Sequence, residues 1–124
     1  MTPSLQRKLY WFTLVPFALM MTLSGVMDIA HPPELAAGMQ HLGYPLYFVT
    51  ILGVWKLLGV SAVSVRGLPR LKEWAYAGFA FDLSGAFVSH LASGDGLAKA
   101  SLPLVFLMLG MGSWALRPAS RRLA

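Results

Sequence analysis

The sequence predicts an all-α fold, an integral membrane bundle of four transmembrane helices with both termini cytoplasmic. Three observations lead there. Hydrophobic residues make up 56% of the 124 positions, only 12% are charged, and the mean hydropathy is +0.62. That is too little charge to cover the surface of a soluble domain of this size. Four apolar runs of helix length recur, and the basic residues between them gather on one side only.

Taken in order, residues 1–8 form a short basic lead with Arg7 and Lys8. Residues 9–27 then run without a charge, and about 20 apolar residues at about 1.5 Å rise each suffice to cross a bilayer. The run exceeds the h-region of a signal peptide, so a retained first span is expected, kinked at Pro16. His31-Pro32-Pro33 stops it, because proline cannot continue a helix and restricts the residue before it. Residues 28–43 read as the first loop, with a short amphipathic turn or two over 34–41 lying at the membrane surface. Residues 44–65 form the second span, interrupted only by Lys56, and 66–72 (RGLPRLK) a basic turn. The third span, 74–91, is built on the apolar stretch EWAYAGFAFDLSGAFVSH at 73–90. A Gly-rich turn at 92–99 leads to the fourth span, 100–116, and the basic tail RPASRRLA is expected to fray.

Eight of the ten Lys and Arg residues fall in the lead, the second turn and the tail; only Lys99 lies in a connection on the opposite side. The positive-inside rule therefore sets both termini in the cytoplasm, as expected for a multi-pass protein of a bacterial inner membrane. Tyr10, Trp11, Trp74 and Trp114 fall near one boundary and Tyr44 and Tyr47 near the other, where amphipathic rings anchor. Glycines within the spans suit close helix packing.

Two broad classes are set aside. The net charge of +5 sits in short clusters between apolar runs, not on one face or helix, so no nucleic-acid partner is expected. The absence of cysteine excludes disulfides, thiolate metal sites and iron–sulfur clusters in this chain.

Ionisable residues inside apolar spans are the functional candidates, since each is costly there without a partner. Lys56 precedes Arg66 by ten residues and Asp82 follows Glu73 by nine, which puts them about 15 Å and 13 Å from the same end of adjacent helices. A Lys56–Asp82 pair is therefore expected, as structural glue or as part of a polar pocket. His90 lies two turns beyond Asp82 near the opposite end. Asp28 ends the first span at that level, so a cluster of Asp28 with His90 is a second expectation. Three histidines without a fixed ligand spacing give no metal site.

HLGYP at 41–45, ILGVWKLLG at 51–59, LKEWAYAGF at 71–79, and Gly85-Ala86 ahead of Ser89-His90 resemble the DoxX-like family of small four-helix bacterial membrane proteins. The resemblance spans nearly the whole chain and implies a four-helix membrane fold. It draws attention to Lys56, Glu73, Gly78, Gly85 and His90. Relatives of this kind include a subunit associated with quinone-linked thiosulfate oxidation and partners in membrane oxidoreductase assemblies. The leading expectation is an accessory protein that binds a quinone or similar lipophile through Lys56, Asp82, His90 and Asp28, surrounded by membrane lipid and supporting an oxidoreductase partner. The alternatives are a stand-alone isomerase or hydrolase with Asp82 and His90 as acid–base catalytic residues, or a small transporter. A homo-oligomer is reasonable at this size.

Overall fold

In the computed structural model, which describes residues 1–122, the fold is all-helical. Five helices occur: α1 (Pro3–Ala30), α2 (Pro33–His41), α3 (Leu46–Ser64), α4 (Pro69–Ala92) and α5 (Gly96–Leu116). A short 3-10 turn, Ala119–Arg121, follows. Among the described residues three helices, α1, α3 and α5, are long and apolar enough to cross a membrane. Helix α4 is 24 residues long but carries Lys72, Glu73 and Asp82 among its apolar residues.

Local chemistry accounts for the ends. Thr2 caps α1 by accepting the Leu5 N–H, and Pro3 occupies the first turn, where no intrahelical N–H is needed. The helix passes through Pro16 and ends at His31, which adopts a left-handed conformation and donates its N–H to the Met27 carbonyl. Asp28 therefore belongs to the last turn of α1, not to the loop where the sequence reading put it. The apolar stretch before it simply continues its helical period to Ala30.

Each long helix packs against two others: α1 against α3 and α5, and α4 against α3 and α5. The buried face of α1 is one stripe, Tyr10, Leu14, Phe17, Met21, Gly25 and Asp28, with the three- and four-residue spacing of a helix face. Its aromatic part meets Val63, Tyr76, Phe79 and Leu83 in the main core. Phe17 and Phe79 meet edge to face with centroids 5.0 Å apart, a favoured aromatic geometry. Gly59 and Gly110 make room for these rings, since a Cβ there would sit 2.8 Å from Phe79 and 2.9 Å from Phe17.

The end of the ring that holds the start of α1 and the end of α5 is tied by charged side chains. Lys72 donates to the carbonyls of Ala62, Val65 and Gly67, and Arg121 donates to those of Val63, Ser64 and Val65. Together they satisfy carbonyls that the C-terminus of α3 leaves without helical partners. Arg121 also lies over the Trp11 ring at 5.0 Å. The tail is thus docked through residue 122, contrary to the expected fraying, because its guanidinium finds a helix end to cap. Residues 123 and 124 of that tail lie outside the described residues.

Helices α1 and α3 approach each other closely at Gly25 and Gly53. A Cβ on Gly53 would lie 2.7 Å from the Gly25 carbonyl oxygen and 2.8 Å from Ile29, whereas one on Gly38 meets nothing within 4 Å. Gly53→Ala should therefore cost about 1–3 kcal/mol by forcing the helices apart. Gly38→Ala should be neutral or stabilising by up to about 1 kcal/mol. Unfolding of the two variants in detergent micelles checks the contrast.

Candidate functional site

The site forms where the inward stripes of α1 and α3 carry polar residues. On α1, Ser24 and Asp28 are one turn apart on the same side, with Gly25 between them at the contact. On α3, Gly53 precedes Lys56 by three residues. Because the two glycines let the backbones meet, the Lys56 side chain crosses directly to α1. Its Nζ donates to Asp28 Oδ2 at 2.8 Å and to Ser24 Oγ at 2.9 Å. Asp28 is 1% exposed and Lys56 9%.

Asp82 on α4 is the third member. Its Oδ2 lies 4.0 Å from Lys56 Nζ, an ion-pair contact beyond hydrogen-bond length. The expected Lys56–Asp82 neighbours are thus near each other, but the direct partner of Lys56 is Asp28. Asp82 falls one position off the buried Lys72, Tyr76, Phe79 and Leu83 stripe, about 100° around the helix from Leu83. Its side chain consequently keeps 19% of its surface accessible.

Two cavities meet at this group. One, of about 790 Å³, lies inside the ring of helices between Met21, Phe48, Leu83 and Phe106. The other, of about 500 Å³, is a groove between α3 and α4 flanked by Trp55 and Trp74. Leu52, Lys56, Phe81 and Asp82 line both. Both volumes suit a small lipophilic molecule, and apolar walls with a few polar groups are typical of such sites.

The expected Asp28–His90 cluster does not form. Asp28 faces α3, where Lys56 neutralises it, and His90 turns to the α4–α5 connection. His90 Nδ1 lies 2.7 Å from one carboxylate oxygen of Asp95, and His41 Nε2 lies 2.7 Å from the other. Asp95 thereby clamps α2 to the end of α4. His90 still lines the larger cavity at its rim, beside Tyr44, whose hydroxyl pairs with Ser89. His31 is likewise engaged, at 2.8 Å from Thr50. Among the described residues no group of three or more His, Cys, Asp or Glu side chains is arranged to hold a metal ion. Glu73 accepts from Arg117 at 2.6 Å and from Trp114 at 2.9 Å, joining α4 to the end of α5.

Sequence reasoning missed Ser24 and Asp95, and it put Asp28 at the wrong partner. The signals were present. Asp28 lies one heptad after Met21 on the stripe that begins at Tyr10, which directs it inward, and Asp95 follows His90 by five residues across a turn.

Hydrogen bonds from His90, and then from His41, hold the Asp95 carboxyl below the ordinary carboxylate range. A depressed carboxyl pKa contributes stability that is present above the unfolded value, about 3.9, and lost as pH falls through the folded one. Melting temperature followed downward from pH 5 should therefore drop more steeply in the wild type than in Asp95→Asn. At the centre, Asp28→Ala removes the hydrogen-bonded partner of a buried ammonium, leaving it the looser Asp82 contact at 4.0 Å, and should cost up to about 3–5 kcal/mol, while Asp28→Leu combined with Lys56→Met should recover most of it. Denaturant unfolding of the single and double variants measures both.

A family model described as the DoxX-like family matches residues 12–113. No curated protein and no solved structure matches the chain.

Proposed function

The chain belongs to the DoxX-like family, and we propose that it is an accessory membrane protein that binds a quinone or a similar lipophile beside Lys56 and Asp82 in support of an oxidoreductase. Membership and the apolar helices make it a membrane protein. In this reading α4 is the fourth span: its 24 residues rise about 36 Å, enough to cross with some tilt. Arg7, Lys8, Arg66, Arg70, Lys72, Arg117, Arg121 and Arg122 then share the cytoplasmic side of a bacterial inner membrane, with both termini.

The observation that carries the proposal is the meeting of two apolar cavities at one small group of ionisable side chains. Ionisable residues at such a position in a membrane segment are costly, and a lipophile with polar oxygens is the ligand class that uses both features. Two Lys56 N–H groups are committed to Asp28 and Ser24. The third remains for a ligand oxygen. His90, at the rim, belongs to the mouth of the pocket. Bound quinone would supply redox chemistry that a chain without cysteine lacks, and electrons would pass to or from a partner protein. The lipid-facing residues also leave room for a second copy of the chain.

The test is mass spectrometry of lipophiles extracted from gently solubilised protein. Quinone should co-purify with the wild type and fall at least tenfold in Lys56→Met, relative to folded protein. An empty wild type that added quinone does not stabilise against heat would sink the proposal.

A further inference from the structure

The charges at the centre do not balance. Asp28 from α1 and Asp82 from α4 face a single cation, Lys56 from α3. The side of α5 that lines this cavity contributes Leu102, Pro103 and Phe106, with Lys99 at the far end. On α4 itself, His90 is paired with Asp95. With both carboxylates ionised, the group would carry a net negative charge inside an apolar layer. A bare charge there is strongly disfavoured, and the group takes up a proton instead. The geometry also selects its position. Asp28 is the more deeply buried, and its Oδ2 accepts directly from the ammonium at 2.8 Å. Asp82 accepts no hydrogen bond among the described residues and stands 4.0 Å from that ammonium.

We propose that Asp82 stands protonated and is the hydrogen-bond donor for a neutral, carbonyl-bearing lipophile, whose apolar tail lies in the α3–α4 groove. This rests on the lipophile-binding function above and names the chemistry of its ligand. The carboxyl of Asp82 lines both cavities, so a head group in the inner cavity and a tail in the groove meet it together. A neutral head group fits because the proton already balances the site. An anionic one would face Asp28, and a cationic one would have to displace that proton. A carbonyl oxygen accepts from the Asp82 hydroxyl and from the free Lys56 N–H.

Infrared spectroscopy of protein labelled with 13C at the aspartate side-chain carboxyls, in lipid at pH 7, tests this directly. The wild type should give the carbonyl-stretch band of a protonated carboxyl, and Asp82→Asn should lose it while retaining the Lys56–Asp28 pair and the fold. Asp28→Asn should also lose it, because Lys56 then balances Asp82 alone. A short-tailed ubiquinone should shift the wild-type band and raise the melting temperature. No band in the wild type, or a band unchanged in Asp82→Asn, overturns the proposal. So does a quinone that raises the melting temperature without moving the band, an outcome that leaves the binding pocket itself standing. A band present with no stabilisation by quinone overturns the pocket, and the donor role of Asp82 with it.

Discussion

A buried ammonium has to be neutralised, and much of the polar architecture follows from that need. Lys56 lies on the inward stripe of α3, too far from the helix end for its side chain to reach water. It is satisfied by Asp28 and Ser24 only because α1 and α3 touch backbone to backbone at Gly25 and Gly53. Wider residues at the crossing would separate the helices and leave two buried charges apart. Small residues at the contact and a charge pair beside it are therefore one structural device. A buried ion pair of this kind is weak evidence for stability as such, since desolvation offsets its attraction. What it does is fix the register of α1 against α3 and leave Asp82 beside a cation already paired with Asp28.

The two ends of the ring of helices are built differently. Toward the chain termini, Tyr10, Phe17, Tyr76 and Phe79 fill the interior, and Lys72 and Arg121 cap the end of α3. Toward α2 the packing opens into the larger cavity, roofed by a short helix that Asp95 clamps through two histidines. Packing is thus concentrated at the end where the buried Lys72 and Arg121 are satisfied by backbone carbonyls. The polar group lies where the filled half gives way to the open one, which is how it comes to line two cavities at once.

The local features were legible because they depend on short stretches of chain. Hydropathy marked each long helix, the proline pair at 32 and 33 marked the break before α2, and the family likeness at 71–79 is sustained across residues 12–113. Lys56 and Asp82 stood out as ionisable groups within apolar runs. Ser24 did not, because a hydroxyl in an apolar helix can return its hydrogen bond to its own backbone and so announces nothing. Arg121 was hidden for a related reason: a basic tail reads as solvated until a helix end with unpaired carbonyls is found beside it.

By itself the sequence determined the helical class, the apolar character that makes this a membrane protein, and the height of each ionisable residue along its helix. Those follow from composition and from a fixed rise per residue. Which carboxylate meets Lys56 was decided only by tertiary structure. Rise gives height but not rotation, and the choice between Asp28 and Asp82 turned on which faces of α1 and α4 point inward. It turned equally on how closely two glycines let α1 approach α3, a difference of about an ångström that separates a hydrogen-bonded pair at 2.8 Å from a looser contact at 4.0 Å.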